Sequence, residues 1–108
     1  MDVIERIKAQ LAENTVILYM KGTPDFPQCG FSGQAVQILQ YCSVPFAHVN
    51  IFEDPELRES LKTFSNWPTF PQLYIKGELV GGSDIMMELF QRGELQKMLE
   101  DGPIEGSD

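Results

Sequence analysis

The sequence predicts an α/β fold in which a four-stranded mixed sheet is flanked by helices. Along the chain, segments whose apolar residues recur at helical spacing alternate with short continuous apolar runs, which indicates alternating helices and strands. A strand–helix–strand unit is followed by two strand-like runs around Lys76-Gly77, so the sheet should contain parallel and antiparallel pairs. With 108 residues, 43% of them hydrophobic, the chain can bury one core, and we predict a single domain over residues 1–108.

The first half of the chain is predicted to contain two helices and two strands. A helix ending near Asn14 is indicated by apolar residues at helical spacing: Val3, Ile4, Ile7 and Leu11. The β-rich run TVILYM (15–20) predicts a buried strand, and the glycine and prolines of KGTPDFPQ (21–28) end it. A second helix is marked by Phe31, Ala35, Ile38, Leu39 and Cys42, and FAHVNIF (46–52) predicts the second strand.

The second half begins with a clear helix signal at Asp54-Pro55, because aspartate caps free amides and proline fits a first helical turn. This helix should end before Trp67-Pro68. Residues 72–82 (QLYIKGELVGG) predict a hairpin, and Ser83-Asp84 begins a last helical region that reaches roughly Leu99. Residues from about 101 to 108 are predicted to be a flexible acidic tail.

Charge and cysteine content exclude several classes of protein. The 8 basic and 16 acidic residues give a net charge of -8 without a basic cluster, which argues against binding to nucleic acid or to an anionic membrane. Two cysteines are too few for a small secreted disulfide scaffold. No apolar run is long enough for a signal peptide or a membrane span. We therefore expect a cytoplasmic protein with reduced thiols.

Cys29 is the candidate reactive residue. It follows a strand and a loop and lies at the start of a predicted helix, where free amides and the helix dipole favour the thiolate. Lys21, at the end of the preceding strand, would add positive charge. An isolated cysteine is more often a small packing residue, but this position favours reactivity. If the motif derives from C-x-x-C, Ser32 has replaced the second cysteine.

The other thiol, Cys42, lies at the far end of the same predicted helix. At about 1.5 Å per residue, an unbroken helix separates it from Cys29 by roughly 20 Å, whereas a disulfide needs α-carbons within about 7 Å. We expect Cys42 to pack in the core. His48 is the sole histidine, so one chain lacks an ordinary four-ligand metal site, although two chains could share four sulfurs with a small-molecule thiol.

The sequence resembles the monothiol glutaredoxins of the CGFS class, and closely the short, single-domain bacterial type. Three blocks carry the resemblance, in the order expected for that family: MKGTPDFPQCGFS (20–32), DPELR (54–58) and NWPTFPQLYIKGELVGGSD (66–84). The match spans nearly the whole chain. It implies a thioredoxin-like fold and a glutaredoxin domain over residues 1–108.

The resemblance also implies a glutathione site. In the family pattern, Lys21 and Arg58 hold the glycine carboxylate of glutathione. Thr69 and Phe70 lie beside its peptide backbone, and the γ-glutamyl end is received by Ser83 and Asp84. Pro71 should be in the cis form. Ser83 stands where many members of the family have cysteine, which leaves Cys29 as the only thiol expected at the site.

Simpler roles remain open for several of these residues. Lys21 can be a solvated charge, and Arg58 can make only an ion pair with Asp54 on the helix surface. Trp67 and Phe70 can be packing residues, and Asp84 can be only a helix cap. The occurrence of all of them in the family order favours a functional role.

Three functions from different classes compete. The resemblance favours an iron–sulfur protein that assembles, stores and transfers a 2Fe-2S cluster, held by Cys29 of two chains and two glutathiones. Its expected partners are a second copy in a homodimer, a BolA-like protein and iron–sulfur apoproteins. The alternative is a glutathione-dependent thiol-disulfide oxidoreductase with Cys29 as nucleophile. The loop GTPDFPQ (22–28) is longer than in dithiol glutaredoxins, and by this resemblance it implies weak activity. A third possibility is a protein-binding adaptor that needs no thiol chemistry.

Overall fold

A four-stranded mixed sheet forms the centre of the structure, as predicted. The computed structural model describes residues 2–101, so the predicted acidic tail lies outside the described residues, apart from Asp101 at the end of a helix. The strand order is β2-β1-β3-β4. Strand β1 (Val16–Met20) pairs in parallel with β2 (Ala47–Asn50) and antiparallel with β3 (Gln72–Ile75), and β3 pairs antiparallel with β4 (Glu78–Gly81).

Helices cover both faces of this sheet. On one face the core includes residues of α1 (Val3–Glu13) and α3 (Pro55–Ser65). On the other it includes residues of α2 (Gly30–Tyr41), α4 (Ser83–Gln91) and α5 (Glu94–Asp101). No helix in the described part of the chain is long and apolar enough to cross a membrane.

Strand β1 is buried on both faces, which explains why its sequence is a continuous apolar run. Val16, Leu18 and Met20 contact the core beside α2, α4 and α5. Ile17 and Tyr19 contact the core beside α1 and α3. Lys21 follows β1 directly, and the pairing of β1 with β2 and β3 sets the position of this strand end.

The N-termini of α1 and α3 have the side-chain caps that fix their starting points. Asp2 and Glu5 form a reciprocal capping box, and the Asp54 carboxylate accepts a hydrogen bond of 3.2 Å from the Leu57 amide. Asp54 also accepts a hydrogen bond of 2.7 Å from Arg6, which links α3 to α1. The ion pair considered between Arg58 and Asp54 is therefore replaced by one between Arg6 and Asp54.

Several details differ from the sequence prediction. Strand β2 ends at Asn50, because the Asn50 side chain accepts a hydrogen bond of 3.0 Å from the Phe52 amide and starts a short 3₁₀ helix (Ile51–Glu53). The last helical region is two helices, α4 and α5, separated at Gly93, whose φ of 72° ends α4. Phe31, predicted from its spacing to lie on the apolar side of α2, is 59% exposed.

Candidate functional site

A groove of about 310 Å³ opens where β1 ends and α2 begins. Its other wall consists of the segment between α3 and β3 together with the first turn of α4. The residues lining it are Lys21, Cys29, Phe31, Trp67, Thr69, Phe70, Pro71, Gly82, Ser83, Asp84 and Ile85. The sheet thus brings three segments that are distant in sequence to one edge.

Cys29 lies in the N-cap position of α2, in extended conformation, and is partly exposed. The pKa of its thiol is lowered, first by the Ser32 backbone amide and further by the Phe31 amide, the Lys21 charge and the Ser32 hydroxyl, while partial burial opposes them. These amides lie in the first turn of α2, where the free N–H groups of a helix start favour a negative charge. The surroundings of Cys29 therefore favour the thiolate form of a side chain that lines the groove.

The loop between Lys21 and Gln28 is a tight, hydrogen-bonded turn. The Gln28 amide donates to the Lys21 carbonyl at 2.8 Å, and within the loop Thr23 and Phe26 exchange backbone hydrogen bonds of 3.0 and 3.3 Å. Phe26, at this turn, is 75% exposed. The loop that precedes Cys29 is thus held by its own backbone.

Gly22 makes this turn possible. Its φ is 94°, and a β-carbon there would lie 2.5 Å from the Phe26 carbonyl oxygen and 2.7 Å from the Gln28 nitrogen. The Gly22 amide donates to the Asn50 side chain at 3.0 Å, which ties the loop to the end of β2. Only glycine allows the chain to pass this closely to itself.

Ser32 has a structural role that its position in the motif did not reveal. Its side chain is fully buried, and its hydroxyl oxygen accepts a hydrogen bond of 3.0 Å from the Lys21 amide. The sequence indicated only that a second thiol is missing here. The structure shows that the Ser32 hydroxyl connects the end of β1 to the first turn of α2, beside Cys29.

The first turn of α4 contributes polar backbone to the groove. Its N-cap is Gly82, and no side chain caps the helix, so the role of Asp84 as a cap is not observed. Ser83 is buried and Asp84 is exposed. Free amides at a helix start attract anionic groups.

The structure brings most of the predicted site residues together. The groove is lined by Lys21, Cys29, Thr69, Phe70, Pro71, Ser83 and Asp84. The Phe70–Pro71 peptide bond is cis, as the resemblance implied. Trp67 lines the groove as well.

Arg58 is the predicted site residue that does not line this groove. Its guanidinium carbon lies 5.8 Å from the centre of the Phe52 ring, a cation–π arrangement. Its Nε is buried and has no hydrogen-bond partner among residues 2–101. The predicted role of Arg58 in binding a ligand stays a prediction.

Cys42 lies at the opposite end of α2 from Cys29, and both thiols are free. It is partly buried against the core, and burial raises the pKa of its thiol. Residues 2–101 contain no group of three or more histidine, cysteine or acidic side chains that could hold a metal ion. Within one chain, Cys29 is the thiol that faces the groove.

Alkylation should distinguish the two thiols by rate. Because the thiolate is the reactive form, the lowered pKa of Cys29 and the raised pKa of Cys42 predict that iodoacetamide modifies Cys29 first at neutral pH. The alkylation rate of Cys29 should reach half its maximum at a lower pH than the alkylation rate of an ordinary free thiol. Peptide mass spectrometry over a pH series measures both rates, and faster modification of Cys42 would contradict this assignment.

A model of the family described as Glutaredoxin matches residues 16–80. The chain belongs to the glutaredoxin family. It is 54% identical over 101 residues to a protein named Glutaredoxin 4 of Pasteurella multocida, and the match covers 94% of this chain and 93% of that protein. With one cysteine in the sequence CGFS (29–32), it is a monothiol glutaredoxin.

Solved structures confirm the thioredoxin-like fold. Reduced apo GrxS14 of poplar has a TM-score of 0.82 and 50% identity, and the match covers 93% of this chain and 92% of the poplar chain. A glutaredoxin from buckwheat, solved as a complex with glutathione, has a TM-score of 0.83 at 17% identity, and the match covers 93% of this chain and 89% of that one. At that level of identity the second comparison shows the fold alone.

Proposed function

We propose that this glutaredoxin binds glutathione in the groove and, together with a second copy, holds a 2Fe-2S cluster for assembly, storage and transfer to apoproteins. The observation that carries the proposal is the isolation of Cys29. Its thiolate is stabilised at the edge of a groove, while the other thiol lies at the far end of α2. A thiolate without an internal partner is free for an external ligand.

The chemistry of the groove suits glutathione. This tripeptide thiol carries two carboxylates and one ammonium group, and the groove offers the Lys21 cation, the Asp84 carboxylate and the free amides at the start of α4. Its volume of about 310 Å³ is within the usual range for a small-ligand cleft, about 300–1,000 Å³. The buckwheat glutaredoxin that was solved in complex with glutathione shares the fold of this chain. The peptide backbone of glutathione would lie against Thr69, Phe70, Pro71 and Ser83.

The number of available sulfurs supports cluster binding by two chains together. A 2Fe-2S cluster is held by four ligands, commonly thiolates, whereas one chain presents Cys29 to the groove. Two chains with one glutathione each would supply four thiolates, and the dimer would form as the cluster binds. Two of these four ligands would belong to glutathione, which can exchange. Such a ligand set suits a carrier that passes its cluster to iron–sulfur apoproteins or shares it with a BolA-like protein. Such a carrier would act in the cytoplasm.

Anaerobic reconstitution tests the proposal directly. The reduced protein is incubated with ferrous iron, sulfide and glutathione, and the product is examined by absorption spectroscopy, size-exclusion chromatography and analysis for iron, sulfide and glutathione. We expect a coloured dimer with one cluster and two glutathiones. A colourless monomer under these conditions would contradict the cluster proposal. Omitting glutathione is the matched control and should prevent the dimer from forming.

A second candidate function is favoured by the lowered pKa of Cys29. In this reaction the Cys29 thiolate attacks the glutathione sulfur of a glutathionylated protein, the disulfide of that protein breaks, and the protein sulfur leaves as a thiolate that takes a proton from water. A second glutathione then reduces the Cys29–glutathione disulfide and is released as glutathione disulfide. Rapid turnover of a glutathionylated peptide, without cluster formation on reconstitution, would favour this oxidoreductase over the carrier.

A further inference from the structure

A buried glutamine lies directly behind one wall of the groove. Gln72 is the first residue of β3 and its side chain is fully buried, although the rest of that strand is apolar apart from the Tyr74 hydroxyl. Its amide nitrogen Nε2 donates to the Trp67 carbonyl at 3.1 Å and to the Thr69 carbonyl at 3.2 Å. Trp67 and Thr69 both line the groove. One side chain therefore holds two points of the wall.

The orientation of the Gln72 amide is fixed by its partners. Two carbonyl oxygens can be satisfied only by its NH₂ group, and its oxygen then accepts a hydrogen bond of 3.1 Å from the Tyr74 hydroxyl. With Tyr74 as donor, the fully buried Gln72 side chain makes three hydrogen bonds. Satisfied buried networks of this kind hold a single arrangement.

The same segment is held from its other side by Ser65. The Ser65 hydroxyl oxygen accepts a hydrogen bond of 3.1 Å from the Trp67 amide, and the hydroxyl donates to the Leu61 carbonyl at 2.7 Å. The backbone of Trp67 is thus bonded at its nitrogen to the end of α3 and at its oxygen to the start of β3. Its indole is placed against the groove as a result.

We propose that Gln72 is a positioning residue that sets the shape of the groove wall from Trp67 to Thr69, and thereby its affinity for glutathione. The second part rests on the proposed function. Gln72 does not line the groove, so it would act through the backbone of the two residues it holds. Without its amide, the Trp67 and Thr69 carbonyls would lose their hydrogen-bond donor and the wall would shift.

The test compares Gln72→Met with Tyr19→Phe. Methionine has a similar length but no hydrogen-bonding amide. Tyr19 is a matched control because it is equally buried, faces the same core and makes one side-chain hydrogen bond, of 2.7 Å to Gln10, without lining the groove. Trp67 is the sole tryptophan of the chain, so its fluorescence reports on the groove wall without any ligand.

We expect Gln72→Met to shift the Trp67 emission and the amide NMR signals of residues 66–71, and to weaken glutathione binding about tenfold, equivalent to about 1.4 kcal/mol. Tyr19→Phe should leave the signals of residues 66–71 and the glutathione affinity unchanged. Equal changes in the two variants would overturn the proposal, because the effect would then reflect general loss of stability.

The ligand-free signals separate this proposal from the proposed function. If the unmodified protein does not bind glutathione, the proposed function fails, but the signals of residues 66–71 still decide the role of Gln72: a shift in Gln72→Met supports it and no shift overturns it. If Gln72→Met does not fold, Tyr74→Phe replaces it. That variant keeps the amide and removes one of its three hydrogen bonds, so a shift of the Trp67 emission relative to the unmodified protein supports the proposal and no shift overturns it.

Discussion

Replacing Cys29 by serine should abolish cluster binding by this glutaredoxin while leaving the fold intact. A serine hydroxyl stays protonated at neutral pH and is a poor ligand for iron in a cluster, which thiolates normally hold. Cys29 is partly exposed and its side chain makes no capping hydrogen bond, so the loss of stability should be within about 0.5 kcal/mol. Reconstitution should then yield a colourless monomer with the same thermal unfolding midpoint as the unmodified protein.

Cys42→Ser is the matched control for this experiment. It removes the other thiol of the chain at the far end of α2, and its reconstituted product should be a coloured dimer. If Cys29→Ser retained the full absorption of the cluster, Cys29 would not be its ligand. Loss of colour in Cys42→Ser, with Cys29 present and the fold intact, would argue for a ligand set that includes Cys42.

Gly22→Ala should destabilise the protein by about 3 kcal/mol, at the upper end of the cost of a strained backbone conformation. The added β-carbon would lie within 3 Å of two backbone atoms and of the Gln28 side chain, and the positive φ of Gly22 is unfavourable for alanine. The turn between Lys21 and Gln28 would have to open, and the residue that follows it is Cys29. We therefore expect a loss of glutathione binding together with the loss of stability.

Gly77→Ala is the control that separates the cost of a positive φ from the cost of steric overlap. Gly77 also has a positive φ, of 81°, but a β-carbon there would meet nothing within 4 Å. Its replacement should cost only the conformational penalty, about 1 kcal/mol, and leave the groove unchanged. Urea unfolding curves give both free energies, and equal destabilisation by the two substitutions would show that the contacts around Gly22 do not matter.

Most elements of the fold could be predicted because their signals are local. The cap at Asp54, the hairpin residues Lys76 and Gly77, and the apolar run of β1 each specify a structure within a few residues, and the structure confirms all three. The break at Gly93 has a local cause as well, but a single glycine within helical spacing did not distinguish a helix end from a tolerated substitution.

The site was predicted in part. Cys29 could be inferred from its place between a strand and a helix, and the groove residues came from the family resemblance. Gln72 was missed, although a polar residue at the start of an otherwise apolar strand was a signal that could have been followed. Arg58 was placed by resemblance, yet its guanidinium lies over Phe52. Side-chain contacts of this kind depend on neighbours that are distant in sequence.

The sequence by itself determined the α/β class, the order of the elements and the presence of one thiol at the start of α2, because periodicity and turn residues act locally. Only the tertiary structure decided how Cys29, Trp67 and Ser83 come to line the same groove, since strand order sets which loops meet. Packing likewise decided that Ser32 is buried and Phe31 exposed on adjacent positions of one helix. The spacing of apolar residues marks the helix, but the neighbouring strands and helices determine which side of it is covered.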